Sequence, residues 1–165
     1  MPTLVKRKEI MLYLDTDPGK TTSIWGLYGK KSTTATYTYN PSSTSETYIT
    51  DDNATDTLDS YNVSIDGDMK CWYGDAIYDY INKLRYNLAT GDDAVTKALL
   101  IDKYDKDSEG SFKAQIFEAT IKIETYGGDG GVTPNITFTI SLNGDPTNGS
   151  VTFTGNAPTF TPTAD

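Results

Sequence analysis

Hydrophobic positions in this chain alternate with polar ones over most of its length, and alternation is the mark of strands half-buried on a sheet. Ile10, Leu12 and Leu14 interleave with Met11 and Tyr13, which predicts a short strand apolar on both faces. Asp17-Pro18-Gly19 then turns the chain, and Ile24 to Tyr28 forms a second strand around Trp25. From Ser32 to Asp59 the pattern lapses into Ser, Thr, Tyr and Asn, with a break at Asn40-Pro41 and an acidic end at Asp51, Asp52, Asp56 and Asp59. That stretch buries no face. It reads as a long excursion, hairpin-like because Thr and Tyr favour strands, and long excursions in compact domains tend to be functional or disordered.

Tyr61, Val63 and Ile65 share one strand face, and Met69, Cys71 and Tyr73 continue its parity. The lone cysteine therefore points with the apolar set, as a buried structural thiol. One helix stands out. Ile77, Tyr80, Ile81, Leu84 and Leu88 recur at helical spacing, Asp75 can cap the start, Asp79 suits the first turns, and Gly91 suits a left-handed terminator. The period then returns to two. Ala98 to Tyr104 is a buried-type run, and Asp105 to Gly110 a turn. Phe112, Ala114 and Ile116 alternate before the parity jumps to Phe117, Ala119, Ile121 and Ile123, which predicts a bulge near Ile116-Phe117. After the connection Gly127 to Gly131, Ile136, Phe138, Ile140 and Leu142 alternate with polar residues, an antiparallel strand with one wet face. Asn143 to Gly149 reads as a hairpin turn answered by Val151 and Phe153, and the tail from Asn156 to Asp165, with Pro158 and Pro162, as extended and unpacked. The fold class is mainly β: an antiparallel sandwich or barrel with one flanking α-helix and a long loop, in a single domain over residues 1–165.

Composition narrows the chemistry. In 165 residues there are no histidines and one cysteine. That excludes Ser-His-Asp triads, Cys-His dyads, His-ligated metals and an internal disulfide framework. No apolar run reaches the ~20 residues of a membrane span, and Ile10 to Leu14 is too short for a signal-peptide core, so folding in a cytoplasm is expected. Formal net charge is −9, unevenly placed: residues 1–31 hold six basic and three acidic residues, +3, which leaves −12 for the remainder. So acidic a body should not grip nucleic acid, whose binding rests on Lys and Arg.

The short motifs fail on inspection. Gly19-Lys20-Thr21-Thr22 imitates the end of a phosphate loop, but Leu14 stands where the first glycine belongs and a strand follows. Asp105-x-Asp107-x-Glu109-Gly110 imitates half a calcium loop, yet Ile116 occupies the position of the bidentate acid. Asp66 and Asp68 share a strand face, which solvent exposure explains without glycoside chemistry. No catalytic, cofactor-binding or metal-binding constellation is expected.

Several segments together carry a resemblance. Trp72-Tyr73-Gly74-Asp75 opens the helix, Ala89-Thr90-Gly91-Asp92-Asp93-Ala94 closes it, a long strand pair runs from Phe112 to Thr125, and Asn143-Gly144-Asp145-Pro146-Thr147-Asn148-Gly149 lies near the end. In order and spacing, over about Ile24 to Phe153, this resembles the tail tube (major tail) proteins of long-tailed, non-contractile bacteriophages that infect Gram-positive hosts. The immunoglobulin-like C-terminal domain that some members carry is not expected within these 165 residues. The resemblance implies a β-sandwich with a flanking helix. It also implies six copies closing a ring, rings stacking head to tail into a tube, and inner strands joining into one continuous barrel. The implied partners are a tape-measure protein and tail-terminating or baseplate proteins. The resemblance further implies that DNA passes through the lumen without specific binding and that the place of residence is the virion tail after assembly in the host cytoplasm. The family offers no catalytic residue to carry over. On this reading the 32–59 loop is an assembly loop and 156–165 an extended arm. Tyr37, Tyr39, Tyr48, Ile49, Lys30 and Lys31 are expected at inter-ring contacts, and Asp66, Asp68, Glu118 and Glu124 at the lumen. The rival readings are a capsid decoration or other structural virion protein and, less favoured, a carbohydrate-binding β-sandwich suggested by the tyrosines.

Overall fold

A computed structural model of the chain describes residues 1–107 and 109–164; Ser108 of the expected turn and Asp165 of the expected tail lie outside them. Ten strands and one α-helix follow in order: β1 (Ile10–Asp15), β2 (Trp25–Tyr28), β3 (Ala35–Thr38), β4 (Pro41–Glu46), β5 (Thr55–Tyr61), β6 (Ser64–Lys70), α1 (Ala76–Tyr86), β7 (Val95–Lys106), β8 (Phe112–Gly127), β9 (Asn135–Thr154) and β10 (Ala157–Pro162). The main sheet is antiparallel, ordered β2-β1-β7-β8-β9-β6-β3, with β10 added to β9; β4 and β5 form a separate two-stranded hairpin.

Helix α1 forms where the periodicity predicts it. The Asp75 carboxylate accepts hydrogen bonds from Ile77 N and Tyr78 N, satisfying two of the free amides at the helix start. Ile77, Tyr80, Ile81 and Leu84 are buried against the sheet, and Leu88 is not. The helix stops one turn earlier than the apolar stripe suggests. Leu88 sits at φ +48°, Ala89 N donates to Leu84 O (3.1 Å) and Leu88 N to Arg85 O (3.2 Å). This is a Schellman termination with leucine in the left-handed position usually held by glycine. Gly91, the expected terminator, instead opens a short 3₁₀ turn.

The sheet carries two apolar clusters on opposite faces. The larger lies under α1 and joins Leu12, Leu14, Ile65, Met69, Ala119, Ile121, Phe138 and Ile140. The smaller joins Tyr13, Leu99, Ile101, Ala114 and Val151, with Phe112, Phe153 and Phe160 packed against it. Curvature makes both possible. Tyr13 and Phe153 lie on strands three apart, about 14 Å in a flat sheet, yet their ring centroids are 6.4 Å apart. On the other face, Tyr28 of β2 meets Phe138 of β9 edge-on at 5.9 Å, and its hydroxyl donates to Asp68 O of β6. The sheet is therefore rolled nearly into a barrel, with α1 against it.

Several expected features are corrected. The parity jump at Ile116-Phe117 is not a slip of β8 against β7, whose register runs unbroken from Val95↔Thr120 to Asp102↔Lys113. It marks the place where the covered face changes from the smaller cluster to the larger. Against β9 the register does shift at the expected place, between Ile116↔Thr147 and Glu118↔Asn143, but the extra residues lie in β9, between Asn143 and Thr147; a second shift, between Ile123↔Phe138 and Thr125↔Thr137, puts one extra residue, Glu124, in β8. Asn143 to Gly149 is therefore a bulge inside one long strand, not a hairpin turn. The tail is extended, but it is packed: Ala157–Pro162 pairs β9 in register and Phe160 joins the smaller cluster. Tyr61 and Tyr73 leave the expected face, because the chain breaks into the hairpin at Asn62 and into the turn before α1 at Trp72. Cys71 is half-buried at the edge of the larger core.

Candidate functional site

Where β6, β9 and β8 lie side by side, one face packs under α1 and the other is open and polar. Alternation places the residues. Ile65 and Met69 point into the core, so Asp66 and Asp68 point outward. Ile136, Phe138, Ile140 and Leu142 point inward, so Asn135, Thr137, Thr139, Ser141 and Asn143 point outward. On β8, Ala119 and Ile121 point inward, and Glu118, Thr120, Lys122 and Glu124 outward. Registered rows cross the face: Ser64, Ser141 and Thr120 form one, Asp66, Thr139 and Lys122 the next. Side chains tie the rows together. Asn135 donates to the Asp68 carboxylate, Thr139 to that of Glu124, and Asn143 Nδ2 to Thr120 Oγ1 at 2.8 Å.

All four carboxylates expected at a lumen, Asp66, Asp68, Glu118 and Glu124, thus share this face. They do not have it to themselves. Lys70 and Lys122 lie on it, and Lys97 lies directly across from Glu118. Four acids against three lysines leave a formal charge of −1, so the face is hydroxyl-rich and close to neutral.

The six residues expected at inter-ring contacts separate into three groups. Tyr39, Tyr48 and Ile49 are exposed on the β4–β5 hairpin and its root (53%, 53% and 106%). Every residue of β4 and β5 is exposed as well. The root is closed by Asn62 N donating to Tyr39 O (3.0 Å) and by Asn40 Nδ2 donating to Asn62 O (2.9 Å), and it carries an edge-on Tyr39–Tyr61 pair. At the tip, Asp51 N donates to Tyr48 O in a tight turn. Tyr37 does not belong with them. It sits on β3 with its ring against the larger core, and burial pushes its hydroxyl up to about 12 with no hydrogen-bond partner. Lys30 and Lys31 stand elsewhere again. Lys31 O accepts from Lys70 N, at the end of β6 opposite the hairpin root, and the Lys31 ammonium lies 5.4 Å from the Trp72 ring centroid.

The sequence reasoning missed the surface beside those lysines. A groove of about 850 Å³ is lined by Trp25, Trp72, Tyr73, Phe112 and Phe153, with Lys30 and Lys103 at its border. The signal was present as Trp72-Tyr73 just before the helix cap, but only the rolled sheet brings Phe112 and Phe153 to the same place.

The motifs set aside are structural. The Asp15 carboxylate, fully buried, accepts from Asp17 N and Ile24 N and so closes the Gly19-Lys20 loop. The Asp107 carboxylate accepts from the Ser111 hydroxyl, Ser111 N and Glu109 N, which hold it below the usual carboxylate range. Among the described residues no three metal-capable side chains converge, and no helix is long and apolar enough to cross a membrane.

With the geometry in hand, the chain can be set beside known proteins. No protein-family model matches it, and no curated protein does. Its fold is shared with a chain from the tail of an empty GTA (gene transfer agent) particle, computed with helical refinement in C6 symmetry. That likeness covers 92% of this chain and 100% of the other, with a TM-score of 0.58 at 13% identity. The fold shared with that tail chain is mainly antiparallel β, with one α-helix among the described residues.

Proposed function

We propose that this chain is a structural tail protein that does mechanical rather than chemical work. Six copies close a ring, rings stack head to tail, and the tube conducts DNA during ejection. It takes a tape-measure protein and tail-terminating or baseplate proteins as partners and resides in the tail of a phage-like particle. The observation that carries this is the open face of β6, β9 and β8 in a chain whose fold matches a C6 tail subunit over nearly its whole length. A bore wall must not present uncompensated cations to phosphates, because affinity for DNA grows with each phosphate neutralised. A face of hydroxyls and amides, on which four acids slightly outnumber three lysines, meets that need. The sheet also ends in strands paired on one side only, β2 and β3. Such edges are a liability in a monomer and are covered when copies meet edge to edge. An exposed hairpin that meets a different surface of the next copy makes a heterologous contact, and such a contact, where it does not close on itself, makes open polymers.

Negative-stain electron microscopy of the purified chain tests this. Six-fold rings or tubes are expected. A monodisperse monomer at high concentration overturns the reading, and a trimer moves it to a capsid decoration protein. Replacing residues 42–60 by a short turn should leave a folded, non-stacking subunit, since Tyr39 O and Asn62 N already lie 3.0 Å apart. The cut must spare β3, because Tyr37 belongs to the core.

A further inference from the structure

The β4–β5 hairpin and the aromatic groove fit each other, and neither is filled within one copy. An isolated two-stranded hairpin is marginally stable in water, yet this one projects with all of its strand residues exposed. Its tip presents Tyr48 and Ile49 beside Asp51 and Asp52, and with Glu46, Asp56 and Asp59 the hairpin holds five acids. No basic residue occurs between Lys31 and Lys70. The groove is the opposite in charge. Lys30 and Lys103 border it, and Lys103 lies 5.6 Å from the Phe153 ring centroid and 5.9 Å from that of Phe112. Lys31 adds its charge over Trp72. Among the described residues none of these three lysines forms an ion pair with a carboxylate. The one acid in the lining, Asp75, is committed to the helix cap. A copy cannot fill its own groove in this arrangement. The hairpin root lies at the Ser64 end of β6, while Lys31 and Trp72 lie past its Lys70 end, roughly 20 Å away along the strand.

We propose that the groove walled by Trp25, Trp72, Tyr73, Phe112 and Phe153 receives the acidic hairpin tip of a second copy of this chain. Tyr48 and Ile49 enter between the aromatic rings, and Asp51 and Asp52 meet Lys30 and Lys103 at the border. An apolar centre with a charged rim is how stable contacts are built, the rings supplying area and the charges register. The contact is head to tail, so each copy gives one tip and offers one groove. This assignment rests on the tube reading and names the surface through which stacking runs.

The test is a cross-link between distinguishable copies. In a Cys71→Ala background, Ile49→Cys and Tyr73→Cys are made in separate full-length chains, mixed, and treated with a short bis-maleimide. Both sites are exposed, so both chains should fold. A covalent dimer in the mixture, and in neither chain alone, is the expected result. Tubes that form without that cross-link overturn the groove assignment and leave the tube reading standing. A cross-link without tubes keeps the groove as a contact between copies but sinks the tube reading and the stacking role with it; neither product overturns both. Charge reversal gives an independent readout. Lys30→Glu with Lys103→Glu should abolish elongation, as should Asp51→Lys with Asp52→Lys, and the four changes in one chain should restore it. Normal elongation of both double variants also overturns the assignment.

Discussion

Gly67, in the middle of β6, is the point where the open polar face depends most directly on packing beneath it. It pairs with Phe138 of β9, and the Phe138 ring occupies the space that a side chain at Gly67 would take. A Cβ added at Gly67 would stand 2.3 Å from Phe138 Cε2, 2.6 Å from Cζ and 2.7 Å from Cδ2. Carbon atoms in contact prefer about 3.5–4.0 Å, so Gly67→Ala requires the ring to retreat by about 1.2 Å or more. It has nowhere to go. Phe138 is 1% exposed and is held edge-on by Tyr28 at 5.9 Å. Overpacking of this kind costs about 1–3 kcal/mol. Expelling the ring altogether approaches the about 3–5 kcal/mol of a Phe→Ala change. Against this, the alanine gains about 0.4–1 kcal/mol through the unfolded chain. The net expectation is a loss of about 2–3 kcal/mol, or roughly 5–10 °C in Tm for a domain of this size. Circular dichroism melts and urea titrations at concentrations too low for assembly measure it, since assembly would stabilise by mass action. Gly67→Ala combined with Phe138→Leu should cost less than the two single changes added together, because the smaller side chain relieves the clash. A single variant within about 0.5 kcal/mol of the parent, the range of an ordinary surface change, or strict additivity in the double, would refute the packing argument.

Two further outcomes concern single side chains. Leu88→Gly should stabilise the chain by about 0.5–1 kcal/mol in urea titration, because Leu88 is exposed and adopts a φ of +48° that glycine accepts without a Cβ penalty. Tyr37→Phe should be neutral or stabilising by about 1 kcal/mol at neutral pH, since it removes a buried hydroxyl that has no partner. The same variant should resist alkali better. Burial raises the Tyr37 pKa from 10.0 to about 12, so its contribution is fully present below pH 10 and lost as pH rises toward 12. Tyr13, Tyr28 and Tyr80 shift in the same direction through burial, so some alkaline loss persists in the variant. Denaturant midpoints from pH 8 to 12 read the difference.

What local pattern could show, it showed. The i, i+3, i+4 stripe and the Asp75 cap define α1, and strict alternation defines the first half of β9. What it could not show are choices made by distant partners. Asn143-Gly144-Asp145-Pro146 has the residues of a hairpin turn and equally those of a bulge, with Gly144 at φ +64°. Only β8, long enough to pair both halves of β9, decides for the bulge. Pro158 and Pro162 argue against a central strand, and β10 is an edge strand, where proline is tolerated. The parity jump in β8 shows the limit most clearly. A change of hydrophobic face along a strand has two causes, an inserted residue or a change in which side is covered, and a single sequence does not separate them.

The same limit shaped the surfaces. Asp66, Asp68, Glu118 and Glu124 were legible as outward residues because each sits out of phase with core positions on its own strand. That Lys97 would face Glu118, and that Lys122 and Lys70 would join the same plane, is a matter of register between strands. Register turns an apparently acidic wall into a balanced one. The strong negative charge lies instead on the projecting hairpin, which holds five acids and no base. In a tube this division has a mechanical logic. DNA moving past a wall would be hindered by attraction, and a wall whose four acids offset its three lysines would release few counterions from the phosphates it meets. Charge concentrated on a hairpin would, in the proposed contact, act between copies, where opposite potentials orient the approach of the next subunit and screening within about 8 Å at physiological salt confines their effect to the contact. On the proposed reading, sliding and stacking draw on separate parts of one electrostatic pattern, so altering the hairpin acids should change assembly while leaving the sheet face as it was.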